Sequence, residues 1–187
     1  AMSFRPMKPE RFVCSSSLAH DTSGGVVEGW RILPADNTLL AECLGAKPVA
    51  DEGGVRIVEV PYSTAEELPA APDFGISRLK CVMAELAASQ EPVIYQLDGP
   101  LTVLSQLLPL GKVFSALRRS DELLRRGEDW VAEYAALAAG HGAAVLSLAD
   151  PVATLDILGE RMFREAYQGA LLRLLGRLRR ELPEGVV

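Results

Sequence analysis

Pro92-Val93-Ile94-Tyr95-Gln96-Leu97-Asp98-Gly99-Pro100 decides the fold, together with a second stretch, Gly142-Ala143-Ala144-Val145-Leu146-Ser147-Leu148-Ala149-Asp150-Pro151. Each is a short apolar run that ends in an acid and a proline turn. Such a run reads as a buried strand delivered into a tight turn. Between the two, the spacing predicts a helix over 101–108, closed by Pro109 and Gly111. A longer helix is expected after Ser120, which suits an N-cap, with Asp121 and Glu122 in the first turn where the helix dipole favours negative charge. Leu123, Leu124, Trp130, Val131, Tyr134 and Leu137 give it one apolar face, and Gly140 and Gly142 stop it. Beyond the second strand lies the most periodic stretch. Met162, Phe163, Ala166, Tyr167, Ala170, Leu171, Leu174, Leu175 and Leu178 share one side of a helix that Pro183 ends. Strand, helix, strand, helix in series implies an α/β protein with parallel strands and helical crossovers.

Upstream of Pro92 the pattern is less regular. A helix is predicted over 76–89, and two strand-like runs at 48–50 and 55–60 flank Asp51-Glu52-Gly53-Gly54, a sequence suited to a hairpin turn. Asp36 or Asn37 is placed to cap a short helix that runs to Leu44 and stops at Gly45. Ser15-Ser16-Ser17 and Gly24-Gly25 interrupt any periodicity before that. Residues 1–40 are therefore expected to be an irregular segment, and 41–187 the strand–helix part. Downstream, Glu184-Gly185 reads as a turn and Val186-Val187 as the start of another strand. Either the chain is a fragment of a longer barrel or a partner completes the sheet.

Composition limits the function classes. Nearly half of the 187 residues are hydrophobic (49%), which excludes a disordered chain. No apolar run approaches the ~20 residues that a bilayer crossing needs, so no membrane role is expected. Three widely spaced cysteines, Cys14, Cys43 and Cys81, make no disulfide framework and point to a reducing, cytoplasmic setting. The net charge is −6, and the deficit falls within residues 42–98, where ten acids face Lys47, Arg56, Arg78 and Lys80. Arg118, Arg119, Arg125, Arg126, Arg173, Arg177, Arg179 and Arg180 have helical spacing and read as solvated helix faces. Without a concentrated basic patch, nucleic acid is not an expected partner.

At the two strand ends the sequence resembles the uroporphyrinogen decarboxylase superfamily, and within it the cobamide-dependent methyltransferases. The resemblance is carried by 93–104 (VIYQLDGPLTVL), which matches a strand leading into a Gly-Pro-x-Thr turn. It is carried also by 142–151 (GAAVLSLADP), in which Ala144 stands where the family pattern has Asp. The segment 45–62 (GAKPVADEGGVRIVEVPY) fits in order and spacing, so the resemblance covers roughly residues 40–187. It implies part of a (β/α)₈ barrel with its site at the C-terminal ends of the strands. It also implies methyl transfer between a cobamide and a thiol or folate acceptor, with a corrinoid protein or the corrinoid itself as partner. Thiol-methylating members hold zinc through a His-x-Cys pair on a later strand and a Cys near the end of the chain. Those ligands are absent from this sequence, so no metal residue is assigned.

The candidate site residues follow from position. Asp98 and Asp150 end their strands, with Thr102 on the first turn after Asp98, and all three are candidates for binding substrate or corrinoid. Carboxylates there suit hydrogen bonds to pyrrole nitrogens, a folate ring or corrinoid amides. The alternative is that each caps a turn through backbone N–H groups. Gln96 and Ser147 point either into the barrel or toward the helices. Cys14, His20 and Asp21 flank a serine-rich loop and form the one cluster in which a nucleophile–base or metal-ligand arrangement is conceivable. His141, between glycines at a helix end, suits a cation near the dipole. Two rival functions remain beside methyl transfer. One is a non-catalytic, dimerising module that binds a corrinoid or a partner through the apolar face of 159–182. The other is tetrapyrrole decarboxylation, for which Arg5 and Arg11 lack the family spacing.

Overall fold

The computed structural model describes residues 26–27, 30–33, 37–51 and 54–182. In chain order its elements are β1 (Val26–Val27), β2 (Trp30–Leu33), α1 (Leu39–Cys43), β3 (Pro48–Asp51), β4 (Gly54–Ile57), α2 (Ser77–Ala88), β5 (Val93–Asp98), α3 (Pro100–Leu107), α4 (Leu110–Leu117), α5 (Glu122–Gly140), β6 (Ala143–Ala149), α6 (Leu155–Leu158), α7 (Glu160–Met162) and α8 (Gln168–Glu181). A π-turn, Phe163–Tyr167, joins α7 to α8.

β2, β5 and β6 are parallel, in the order β1-β2-β5-β6, and β1 runs antiparallel on the outer edge of β2. Helices carry both crossovers, giving part of a (β/α) barrel. β3 and β4 form a separate antiparallel hairpin within the first crossover. Alternation along β5 sorts its side chains. Val93, Tyr95 and Leu97 are buried against the helix layer, where the Tyr95 and Tyr134 hydroxyls hydrogen-bond at 2.7 Å. Ile94, Gln96 and Asp98 point to the opposite face, which is the interior of a barrel. Between sheet and helices lies a continuous core that includes Leu39, Leu101, Leu104, Val131 and Ala135. Each buried aliphatic side chain of leucine size contributes about 1.5–3 kcal/mol.

Three expectations need correction. The sheet begins at Val26, inside the segment read as irregular, and its parallel part begins at Trp30. β2 has only four residues and is closely followed by Pro34, too short a run for alternation to show. Pro109 closes α3 as expected, but no loop follows at Gly111: a further helix starts at once. Pro109 is the N-cap of α4, a position where its missing N–H is not needed, so the second crossover holds an extra helix. The N-caps of α1 and α5 are Thr38 and Asp121 rather than Asp36, Asn37 or Ser120. Gly45 stops α1 as expected: its φ of 95° favours glycine, and a Cβ there would strike the Tyr62 hydroxyl, which donates to Leu44 O at 2.8 Å.

The long segment between β4 and α2 has little regular structure but is tied down at several points. Tyr62 N donates to Leu107 O at 3.2 Å and Asp73 N to Cys43 O at 2.7 Å. Arg126 of α5 spreads its guanidinium over three carbonyls of the segment, those of Ala65 and Leu68 at 2.9 Å and Pro69 at 3.1 Å. The same guanidinium lies 5.5 Å from the Trp130 ring centroid. Arg126 is thus a clamp rather than part of a solvated face. Between α8 and α5, Arg173 pairs with Glu128 and Arg177 with Asp129; Arg177 also pairs with Glu181 within α8, and Arg125 with Asp121.

Candidate functional site

The C-terminal ends of β5 and β6 meet side by side. Asp98 pairs in register with Ala149, and Gly99 N donates to Ala149 O at 2.7 Å. β5 and β6 are not in simple phase. The register shifts between Val93 and Ile94, where Ala144 is the extra residue of a β-bulge. The bulge turns every later side chain of β6 to the other face. Ser147 consequently lies beside Gln96, and Val145 beside Ile94. On the face turned away from the helices, Ile32, Ile94 and Val145 form an apolar floor. Gln96 and Ser147 make a polar row above it, and half-buried Asp98 stands at the rim.

Asp150 occupies the same rim, and its carboxylate accepts four hydrogen bonds. Its Oδ2 accepts from Leu101 N at 3.0 Å and from the Tyr167 hydroxyl at 2.7 Å. Its Oδ1 accepts from Thr102 N at 2.8 Å and Thr102 Oγ1 at 2.6 Å. The carboxylate therefore caps α3, which has no side-chain cap of its own. It does not cap the turn that follows it in sequence. Burial pushes the Asp150 carboxyl above its usual range, against the pull of these donors. Tyr167 is pushed up too, first by burial and then by Asp150, so its phenol stays protonated and donates. Gly99 lies under the carboxyl, and a Cβ there would overlap the Asp150 side chain. Gly127 of α5 lets Pro100 approach, since a Cβ would sit 3.1 Å from Pro100 Cβ.

The structure brings Asp98, Thr102 and Asp150 to one place. Thr102 is buried, its hydroxyl held by Asp150 and reached by Val152 N at 3.4 Å. Cys14, His20 and Asp21 lie outside the described residues, as do Arg5 and Arg11. His141 is at the α5 C-cap, its Nδ1–H donating to Leu137 O at 2.8 Å. Cys43 is buried in α1, its thiol pushed up to about 12 chiefly by burial, and Cys81 is exposed on α2. Among the described residues no three His, Cys, Asp or Glu side chains converge as metal ligands, and no helix is long and apolar enough to cross a membrane. Sequence reasoning missed Tyr167 as a site residue. Its signal was available: a tyrosine on an apolar helix face needs a partner for its hydroxyl.

Known proteins share this fold. A methyltransferase from Methanosarcina mazei superposes with a TM-score of 0.72 at 21% sequence identity, over 80% of this chain and 49% of that one. The chain thus spans about half the length of that enzyme, and at this identity the likeness is one of fold. No curated protein matches the sequence. The family model described as Uroporphyrinogen decarboxylase (URO-D) matches residues 31–187, beginning within β2 and covering every element that builds the strand-end site. The chain belongs to the uroporphyrinogen decarboxylase family.

Proposed function

We propose that this chain is the ligand-facing N-terminal portion of a methyl-transferring barrel, one that works between a methylcobamide and a thiol or folate acceptor. Asp98 is the residue that meets the ligand. The observation that supports this reading is the layered face of the sheet, with Ile32, Ile94 and Val145 below, Gln96 and Ser147 above them, and Asp98 at the rim. A corrinoid is a broad apolar ring fringed with amides, and this face offers it an apolar floor with polar groups at its edge. When bound, the corrinoid supplies the transferable methyl group. Asp98 would accept hydrogen bonds from amide or ring N–H groups and so set the orientation. Gln96 is able to donate and accept, and Ser147 likewise. A zinc site does not fit the described residues. Cys43 is buried with its thiol held protonated and Cys81 is exposed on another helix, so no step of the proposal passes through zinc.

The test is an absorbance titration of the chain with methylcobalamin. Saturable binding that weakens by about tenfold in Asp98→Ala, the effect of one hydrogen bond to a charged group, is the expected result. Equal affinity in the variant would remove Asp98 from the site. Tight binding of a carboxylated porphyrin in place of methylcobalamin would overturn methyl transfer in favour of tetrapyrrole decarboxylation.

A further inference from the structure

We infer that Tyr167 is a positioning residue for the strand-end site: through its hydrogen bond to Asp150 it holds the turn that aims Asp98. The inference rests on the reading of Asp98 as the ligand contact and adds a residue which that reading does not use. Asp98 is separated from α3 by Gly99 alone, so its direction depends on how that turn is held. One side is fixed by the β-ladder, where Gly99 N donates to Ala149 O. The other side is fixed by Asp150, whose carboxylate grips Leu101 N and Thr102 N. Gly99 is pressed against that carboxylate with no room for a side chain. Among the described residues, Tyr167 is the one from outside the two strand ends and the turns that follow them whose side chain reaches the carboxylate.

Tyr167 is itself placed by an irregularity. It closes the π-turn Phe163–Tyr167, after which α8 runs on with Ala170, Leu174 and Leu178 buried. A π-turn inserts a residue and changes the angular phase of a helix, and such turns recur at functional sites. Here the turn seats the Tyr167 ring against Phe163, with centroids 5.7 Å apart, and brings its hydroxyl over Asp150.

A double-mutant cycle separates positioning from packing. Tyr167→Phe, which keeps the ring, should weaken methylcobalamin binding by about fivefold in the wild-type background and by less than about twofold when combined with Asp98→Ala. Equal losses in both backgrounds would overturn the inference and leave Tyr167 a packing residue. A second readout does not depend on the ligand: the ¹³Cγ resonance of Asp98. It should move in Tyr167→Phe and stay in place in Met83→Val, a core change in α2 that controls for general loosening. A resonance unmoved in Tyr167→Phe would refute the positioning role. If the wild-type chain fails to bind methylcobalamin, the proposed function falls, and the resonance alone decides the inference.

Discussion

Replacing Asp150 with alanine tests whether the carboxylate holds the two strand ends together. The change removes the acceptor for Leu101 N, Thr102 N, Thr102 Oγ1 and the Tyr167 hydroxyl at once. Loss of an N-cap costs about 1 kcal/mol. Tyr167 is 2% exposed, and a buried hydroxyl stripped of its acceptor costs about 1–3 kcal/mol. The Thr102 hydroxyl can turn elsewhere, so it adds little. The expected loss is therefore roughly 2–4 kcal/mol. That is a large share of a typical domain stability of about 5–15 kcal/mol. Urea unfolding followed by tryptophan fluorescence reads it, because Trp130 is in the core. The midpoint should fall while the m-value stays constant. Combining Asp150→Ala with Tyr167→Phe should cost less than the two single losses together, because phenylalanine leaves no stranded hydroxyl. A loss below about 0.5 kcal/mol would refute the reasoning, by showing that desolvation of the buried carboxylate cancels what its bonds contribute.

Three further outcomes are expected. Burial raises the Asp150 pKa above 3.8, so the folded chain holds that proton more tightly than the unfolded one. This contribution to stability is complete below the unfolded value and is lost as pH rises through the folded one. The stability of the wild type relative to Asp150→Asn should thus increase toward acid, and a difference that shrinks would show the four donors outweighing burial. Arg126→Lys keeps the charge but loses the fork that spans the Ala65, Leu68 and Pro69 carbonyls; hydrogen exchange or limited proteolysis at 63–73 should rise well before global unfolding, and unchanged protection would deny the clamp. Cys43, buried and with its thiol pushed up to about 12, should label with a thiol reagent only on unfolding, whereas Cys81 labels in the native state, as peptide mapping would show.

The parallel strands were legible because β5 and β6 are apolar runs ended by an acid and proline, and α5 and the last helix carry clear 3.6-residue periodicity. β2 was not, since four residues between turn formers carry no usable period. The directions of Gln96 and Ser147 stayed open for a physical reason. The bulge at Ala144 changes the phase of β6 part-way along, and alternation read from its first residues gives the wrong face for its last. Asp98 and Asp150 look alike in sequence, each an acid before a proline turn. They differ only through what packs against them, and the partner that engages Asp150 comes from the last helix. The Arg126 clamp was illegible for the same reason, as its acceptors are backbone carbonyls near residue 65.

The cap on α3 has a consequence for the order of folding. Leu101 and Thr102 wait for an acceptor 48 or 49 residues further along the chain. Until β6 has docked beside β5, α3 is an eight-residue helix with no side-chain cap, too short to persist alone in water. As the chain leaves the ribosome, α3 must therefore mature after α5, whose nineteen residues and broad apolar face can form earlier. Changes at Asp150 should then quicken unfolding and leave the folding rate almost untouched, placing the closure of the site among the last events on the path to the native chain.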